Sequence, residues 1–253
     1  MSFTHEELLR LHVEAVWGVS LPPITGHDVE LLPTSPLPRW ELYVGQLASG
    51  RIHIWRPGID ESTRAELLAL IAEPPIDQPP IDQSPIPEMP DLSWHPADSS
   101  APVAPKNKLV IRREVALHQI AQPELDSESA RRIARPITVE DYALVEAFEP
   151  GEAAYFFEEG RGPLFGVVVG ELLLSLAHSS RRIAAACELG VHTLTEARGH
   201  GYALAATILW AEAVAQEGLV PFYSALAENS ASLRLAHKAG YRVFARGTTV
   251  GRG

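Results

Sequence analysis

The sequence predicts an α/β (α+β) protein whose sheet is largely antiparallel at first and ends in strand–helix–strand–helix–strand order. Two apolar runs on either side of Gly170 are typical of a β-hairpin. Residues 184–246 then alternate short apolar runs with two helical stretches, which is typical of mixed folds. With 253 residues, 46% of them hydrophobic, the chain can bury a core as one large domain or two small ones.

The first seventy residues predict a helix, a hairpin and a second helix. Thr4 and Glu7 have the spacing of a capping box, and Leu8, Leu11 and Ala15 share one helical face. A turn around Gly50 separates two alternating runs. The predicted elements are a helix over residues 4–16, strands over 40–47 and 51–56, and a helix over 60–72.

Residues 73–105 contain ten of the 21 prolines and repeat Pro-Pro-Ile-Asp-Gln twice in succession. Proline fixes φ and lacks an amide proton, so neither a helix interior nor a central strand fits. A linker is predicted, and a polyproline ligand for a partner domain is the alternative. The predicted organisation is an N-terminal α/β region of unknown role (1–72), a linker (73–105) and a C-terminal domain (106–253, core 131–253).

The C-terminal domain has the more regular pattern. Thr138, with Asp141 three residues later, is an N-cap signal, and Gly240 is a helix stop. Residues 122–132 are polar and give no clear prediction. The predicted strands are 108–117, 135–137, 153–157, 164–169, 172–177, 184–194, 221–225 and 241–246, and the predicted helices are 138–148, 202–216 and 230–239. Residues 247–253 offer little for a further strand.

The net negative charge lies mainly in the first half of the chain. The net charge is −11, and 19 of the 32 acidic but only 9 of the 21 basic residues lie in residues 1–130. This balance argues against nucleic acid or an anionic membrane as a partner. It is compatible with a cationic substrate such as an amine, and equally with a solvated surface. The single Cys187 excludes an intramolecular disulfide. With no leader pattern or long apolar run, we expect a cytoplasmic protein without a metal site.

Two segments carry the candidate chemistry. Arg198-Gly199-His200-Gly201 connects a predicted strand to a predicted helix, where free amides and the helix dipole can bind a phosphate. An ordinary strand–helix turn would show the same pattern. The second segment opens with Asn229, an N-cap, and its alternative interpretation is a capped surface helix.

Together these segments resemble the signatures of the GCN5-related N-acetyltransferase (GNAT) superfamily. The pattern Arg198-x-x-Gly201-x-Ala203 is similar to its pyrophosphate loop, and residues 229–241 are similar to its later Asn-containing segment. Residues 135–141 resemble its opening strand and helix. The resemblance implies the GNAT fold, a central mixed, mostly antiparallel sheet flanked by helices, over residues 131–253. It leaves residues 1–130 unexplained, as a substrate cap or a degenerate second copy.

The resemblance also implies a division of roles in binding acetyl-CoA, the cosubstrate. Main chain at residues 191–193 would contact the pantetheine arm and the acetyl carbonyl, and the loop amides would hold the pyrophosphate. The polar residues at the start of the later helix would contact the CoA chain. Thr195 stands where relatives often have proline. The implied cofactor-binding residues are Val191, His192, Thr193, Arg198, Gly199, His200, Gly201, Tyr202, Ala203, Leu204, Asn229 and Ser232.

The proton-handling groups are harder to assign. Glu188, on the strand before the loop, is the predicted general base, with an exposed strand residue as its alternative interpretation and His192 as a second candidate. A tyrosine and a glutamate found in relatives are replaced here by Ala236 and Ser224. We therefore name Tyr241 as the candidate acid, with Tyr223 or water as alternatives. Cys187 has no partner placed beside it by sequence and is not expected to act as a nucleophile.

Three functions remain open at this point. The first is N-acetyl transfer to a small-molecule amine by direct attack in a ternary complex. The second is acetyl transfer to a protein or peptide. The third is a non-catalytic acyl-CoA-binding or regulatory module, which the replacements at Ser224 and Ala236 favour. The acceptor cannot be inferred from fold analogy, and a homodimer stays open.

Overall fold

The structure, a computed structural model, describes residues 3–71 and 109–252. The helices are α1 His5–Trp17, α2 Glu61–Ile71, α3 Ser127–Ile133, α4 Tyr142–Phe148, α5 Ala153–Phe156, α6 Tyr202–Gln216 and α7 Ser230–Lys238. The strands are β1 Asp28–Glu30, β2 Leu42–Leu47, β3 Gly50–Trp55, β4 Leu109–Gln119, β5 Arg135–Pro136, β6 Phe165–Val169, β7 Leu172–Arg182, β8 Ala186–Thr193, β9 Val220–Leu226 and β10 Tyr241–Arg252.

The chain divides into two compact units that do not follow chain order. The first takes in Met1–Ala116, Ala225–Ser232 and Val243–Gly253, and the second takes in Leu117–Ser224 and Leu233–Arg242. The predicted linker over residues 73–105 lies outside the described residues, and the predicted domain boundaries stay a prediction. Among the described residues, no helix has the length and apolar character needed to cross a bilayer.

The first unit contains strands in the order β1-β3-β2-β10-β4. β2 and β3 form the predicted antiparallel hairpin, in which Leu42 lies opposite Trp55 and Leu47 opposite Gly50. The predicted capping box also forms, since Glu7 N donates to Thr4 Oγ1 and Thr4 N to Glu7 Oε2. The buried face of α1 joins the core of this unit, so the predicted helix is confirmed.

The last strand is longer than the sequence pattern predicts. β10 extends from Tyr241 to Arg252 rather than ending at Arg246. Residues 246–250 pair antiparallel with residues 46–42 of β2. The expectation that residues 247–253 offer little for a strand is therefore wrong. The partner strand lies some 200 residues away along the chain, and local periodicity carries no information about such pairing.

A carboxyl group is buried within the first unit. Burial raises the pKa of Glu114 to about 7, while Tyr43 and Trp17, as hydrogen-bond donors, act in the opposite direction. A Cβ added at Gly247 would lie 2.4 Å from the hydroxyl of Tyr43 and 2.7 Å from Cγ of Glu114. The glycine therefore gives this polar group its space. Trp40 and Trp55 are core residues of the same unit, with 3% and 1% of their surface exposed.

The second unit contains strands in the order β9-β8-β7-β6-β5. β6 and β7 form the predicted hairpin, with Val169 opposite Leu172 around Gly170. β7 and β8 are antiparallel, and β8 and β9 are parallel. α6 packs on this sheet, and its Trp210 donates to Ser179 of β7 over 3.2 Å. Since the helix is apolar nearly all round, this burial confirms the prediction for residues 202–216.

One prediction in the second unit is wrong, and one segment that gave no prediction contains a helix. Residues 153–157, predicted as a strand, form the short helix α5, in which Ala153 and Phe156 are buried together. Side chains three residues apart share a helical face, so this pair reaches one core, although the run is too short to show a period. Residues 122–132 gave no prediction, yet α3 begins there because the Asp126 carboxylate accepts from Ser129 N at 2.8 Å.

The buried carboxyl predicts a pH-dependent stability. Folded Glu114 keeps its proton up to about pH 7, whereas the unfolded chain loses it near 4.5. The stabilisation that comes from proton binding at Glu114 is therefore complete below pH 4.5 and falls as the pH rises to the folded pKa. As the pH rises from 5 to 8, we expect the free energy of unfolding of Glu114→Gln to increase by roughly 2 to 3 kcal/mol relative to that of the wild type. Urea unfolding followed by tryptophan fluorescence measures this difference.

The matched control is Glu66→Gln, which removes an exposed carboxylate from α2 in the same unit. Its free energy of unfolding should follow that of the wild type at each pH. If the free energies of unfolding of the wild type and of Glu114→Gln changed with pH in parallel between pH 5 and pH 8, the carboxyl would not be protonated in the folded state.

Candidate active site

The end of β8 leads through a tight turn into α6. β8 ends at Thr193, a 3-10 turn covers Thr195–Ala197, and α6 begins at Tyr202. The predicted phosphate loop, residues 198–201, is the exposed connection between them. The sequence prediction of a strand, a polar turn and a helix start is thus confirmed as secondary structure. The binding role of these residues stays a prediction.

Two glycines shape this loop. Gly199 and Gly201 both have φ of +80°, a left-handed conformation that residues with a side chain rarely adopt. Among residues 3–71 and 109–252, a Cβ at either position would meet nothing within 4 Å. Backbone conformation therefore requires the glycines, and the open space lets a ligand approach the main chain closely.

The first turn of α6 presents unbonded amides to this space. Gly201 is the N-cap and supplies no side-chain acceptor, and the first helical bond is that of Ala205 N to Gly201 O. The amides of residues 202–204 therefore precede the first intrahelical bond, where the positive end of the helix dipole favours an anion. The ring of His200 stacks on Tyr202, with centroids 5.5 Å apart and planes 20° apart. These features are compatible with the predicted anion site, whose binding role stays a prediction.

β8 pairs with β9 over only part of its length. The recorded parallel register covers Ala186 to Glu188 against Val220 to Phe222. Two residues further on, Ser224 N donates to Glu188 Oε1 at 2.7 Å, and the Ser224 hydroxyl donates to the same oxygen at 2.6 Å. A carboxylate thus takes the place of a main-chain acceptor. The main chain of residues 189–193 lies beyond the recorded pairing with β9.

Glu188 is a buried residue, not an exposed strand residue. Only 4% of its surface is exposed. Both the amide and the hydroxyl of Ser224 donate to its Oε1 and hold the carboxyl group in place. Ser224, interpreted from sequence as a missing proton-handling position, is therefore a partner of the predicted base. Ala236 is fully buried and has no proton to exchange.

Tyr241 lies at the start of β10, beside Tyr223, with ring centroids 5.5 Å apart. Burial, followed by the charges of Glu188 and Tyr223, raises the pKa of Tyr241 well above its usual value. The hydroxyl is therefore neutral at physiological pH and is a weaker acid than an ordinary tyrosine. Its role as the candidate acid stays a prediction.

The second candidate base, His192, belongs to a separate group on β8. Its Nδ1 lies 3.2 Å from Glu149 Oε1, and its main-chain oxygen accepts from the Ser175 hydroxyl at 3.0 Å. The Ser175 hydroxyl also lies 2.8 Å from that of Thr193. These bonds hold the end of β8 on β7. The side chain of His192 is 19% exposed, so it is not an isolated core histidine.

Asn229 and Ser232 are placed as the capping pattern predicts. Asn229 Oδ1 accepts from Ser232 N at 3.0 Å and so caps the first turn of α7. Both belong to the first compact unit, whereas the loop of residues 198–204 belongs to the second. That all these residues contact one CoA molecule stays a prediction.

Sequence reasoning missed three residues that the structure brings into the site. Ser224 binds Glu188, Glu149 binds His192, and His178 lies beside His192. One signal was available, since a glycine inside a strand often marks a close approach, and Gly190 is such a glycine. Which side chain lies against that glycine depends on strand register, which the sequence does not show. Among the described residues, no group of histidine, cysteine, aspartate and glutamate side chains could hold a metal ion.

Comparison with known proteins gives a match to one protein family. The family model of GNAT acetyltransferase matches residues 119–246, half of the chain. No curated protein matches the sequence. A Novosphingobium aromaticivorans protein, described as an acetyltransferase from the GNAT family, is 24% identical with a TM-score of 0.45, over 60% of this chain and 71% of its own.

Two further solved structures are similar. A GCN5-related N-acetyltransferase-like protein from Streptococcus suis is 19% identical, with a TM-score of 0.45, over 57% of this chain and 63% of its own. An acetyltransferase from the GNAT family from Colwellia psychrerythraea is 16% identical, with a TM-score of 0.45, over 58% of each chain. In both, the match takes in less than two thirds of the relative's length.

The family model and the mixed sheet flanked by helices together confirm the fold that the sequence resemblance implies. The chain therefore belongs to the GNAT acetyltransferase family, and this membership supports acetyl transfer in general.

Proposed function

We propose that the protein transfers an acetyl group from acetyl-CoA to the amine of a small molecule, by direct attack in a ternary complex. The observation that carries the proposal is the loop of residues 198–201. Its two left-handed glycines open a space in front of the unbonded first amides of α6. Such an arrangement suits a pyrophosphate, which needs several converging N–H donors.

The strand before the loop suits the rest of the cosubstrate. Main chain at Val191, His192 and Thr193 would accompany the pantetheine arm, because residues 189–193 lie beyond the recorded pairing with β9. A main-chain amide here would donate to the oxygen of the acetyl group as negative charge develops on it. Arg198 is exposed at the loop, where a cation favours phosphate.

A small amine fits the surroundings of the proposed acceptor side. Residues 142–159, which form α4, α5 and the segments beside them, carry Glu146, Glu149, Glu152, Glu158 and Glu159. No lysine or arginine lies within that stretch, but Arg161, just beyond it, pairs with Glu158 and lies over the ring of Tyr155, so the five glutamates face a single cation. An ammonium group is therefore favoured electrostatically before it is deprotonated.

Glu188 is the proposed general base. An amine is mostly protonated near neutral pH and cannot attack until it loses a proton. The carboxylate is held by Ser224, and its burial strengthens its interaction with a nearby cation. Tyr241 is kept neutral by burial, so it suits donation of a hydrogen bond to the leaving thiolate better than complete proton transfer.

The alternative is a non-catalytic acyl-CoA-binding module. It is favoured by the buried Ala236, which cannot exchange a proton where relatives carry a tyrosine. Binding of acetyl-CoA without release of the CoA thiol to any member of an amine library would select this alternative. Transfer to peptides but not to small amines would select the protein or peptide acetyltransferase. A cytoplasmic location and a homodimer stay predictions.

The phosphate loop is tested by Gly201→Glu. The substitution forces a side chain onto a φ of +80° and adds a negative charge where the pyrophosphate would bind. We expect the wild type to bind acetyl-CoA with micromolar affinity and the variant to bind at least about tenfold more weakly. Isothermal titration calorimetry with acetyl-CoA measures both.

Gly218→Glu is the matched control. Gly218 has φ of +81° and open space around it, but it lies beyond the C-terminal end of the same helix. The control therefore carries a similar backbone strain and the same charge, and should bind acetyl-CoA like the wild type. Equal weakening in both variants, or no binding by the wild type, would reject the phosphate loop.

The proposed base is tested by Glu188→Gln. The amide keeps an oxygen for the Ser224 donors but cannot accept a proton. We expect kcat with the best amine of the library to fall by roughly 10²- to 10⁴-fold, while the calorimetric affinity for acetyl-CoA stays within about threefold. Release of CoA thiol gives the rate.

Ser224→Ala provides the graded comparison, since it removes one donor and leaves the carboxylate in place. Its kcat should lie between those of the wild type and Glu188→Gln. Turnover of Glu188→Gln at the wild-type rate would exclude Glu188 as the base.

A further inference from the structure

The main-chain groups of β8 point alternately to its two neighbours, β7 and β9. On the side of β7, the main-chain oxygens of Glu188 and His192 accept from the hydroxyls of Ser180 and Ser175, at 3.2 and 3.0 Å. Successive residues of a strand direct their main-chain groups to opposite sides. The main-chain groups that point to β9 are therefore those of the odd-numbered residues, Leu189, Val191 and Thr193.

The parallel ladder between β8 and β9 has a fixed step. Val220 N donates to Ala185 O at 2.9 Å, at the start of the recorded register. Each further step moves two residues along both strands, so the continued ladder would join Ser224 N to Leu189 O. Ser224 N instead donates to Oε1 of the Glu188 side chain at 2.7 Å. The carboxyl group therefore takes the rung of the ladder that belongs to Leu189.

This exchange opens β8 on one side only. On the other side, β8 stays paired with β7 as far as Thr193, which lies opposite Ser175. A buried amide needs an acceptor, and the carboxyl group supplies one without bringing the main chain of β9 back to β8. Residues 189–193 thus keep one side outside the recorded ladder, and we call that side the open edge of β8.

A strand edge of this kind binds an extended chain that carries amide groups of its own. The pantetheine arm of CoA is such a chain, since it has two amide groups between its pyrophosphate and its thiol. The loop of residues 198–201, where the pyrophosphate is proposed to bind, follows the open edge after a few residues. An arm that leads from the loop along β8 would therefore lie beside this edge.

We propose that the Glu188 side chain is a wedge that keeps the open edge of β8 available, and that Leu189 O and Val191 N on this edge bind the amides of the pantetheine arm. The identity of the bound chain rests on the proposed function. The wedge is a positioning role separate from proton transfer, because it needs an acceptor oxygen but no basic group. The main chain of His192, which points to β7, is not part of the edge.

The wedge is tested without a ligand, by NMR on protein labelled with ¹³C and ¹⁵N. Scalar coupling across a hydrogen bond joins the donor nitrogen to the carbon that bears the acceptor oxygen. In the wild type, we expect Ser224 N to couple to the side-chain carboxyl carbon of Glu188. In Glu188→Leu, which offers no acceptor, the coupling should move to the main-chain carbonyl carbon of Leu189. Coupling to Leu189 in the wild type, or no such move in the variant, would overturn the wedge.

Two matched variants keep the rung. Glu188→Gln retains an oxygen for the Ser224 amide, and Ser224→Ala removes the hydroxyl but retains the amide. In both, the amide of residue 224 should still couple to the side chain of residue 188. If Glu188→Leu does not fold, Glu188→Ala takes its place, and the wild-type coupling decides by itself whether the carboxyl group holds the rung.

The open edge is tested by calorimetry with two probes, CoA and adenosine 3′-phosphate 5′-diphosphate, which lacks the pantetheine arm. Glu188→Leu should bind CoA at least about tenfold more weakly than the wild type, because the closed rung covers the edge. The shorter probe, which reaches the loop but not the edge, should bind equally to both proteins. Glu188→Gln and Ser224→Ala should bind both probes like the wild type. Unchanged CoA affinity in Glu188→Leu, or equal weakening for both probes, would reject the proposal.

The two experiments together separate this proposal from the proposed function. If the coupling moves as expected but the wild type binds neither probe, the wedge stands, and the role of the edge in binding CoA falls with the proposed function. If the wild type binds CoA but its Ser224 amide couples to Leu189, the wedge fails and the proposed function stands.

Discussion

The candidate site depends on where β8 and β9 cease to pair. Past Phe222, the amide of Ser224 binds the carboxylate of Glu188 instead of a main-chain oxygen. This substitution satisfies a strand amide and holds a carboxyl group in the protein interior. It also takes the second half of β8 out of the recorded ladder with β9. Both the proposed pantetheine contacts and the proposed base follow from this exchange of partners.

The loop after β8 adds the second constraint. A strand that must turn into a helix within a few residues uses left-handed positions, and Gly199 and Gly201 supply them. Because no side chain in the described part of the chain crowds either position, the positive end of α6 is open on the side of these residues. The apolar surface of α6 packs on the sheet and fixes the direction in which its first amides point.

The packing of the histidines on β7 and β8 carries a cost in stability. The imidazole of His178, whose Nδ1 has no hydrogen-bond partner among the residues that the structure describes, lies beside that of His192 at a cost in stability, and the missing side chain of Gly190 leaves room for its ring. The first unit has a similar polar group, in which Gly247 makes room for Glu114 and Tyr43. In both places, a glycine inside a strand leaves space for a polar side chain from the neighbouring strand.

The sequence by itself determined the elements with strong local signals. These include the capped helix α1, the hairpins with clear turns, the apolar helix α6, and the Arg-Gly-x-Gly loop at its start. Local hydrogen bonds and periodic burial leave their pattern in neighbouring residues. Contacts between distant segments leave none. Only the tertiary structure decided that residues 247–250 extend a strand against β2 and that residues 153–156 form a helix. It alone also placed Ser224 beside Glu188, and Glu149 and His178 beside His192. The physical reason is that strand register and core packing determine these contacts, and both depend on segments that are distant in the sequence.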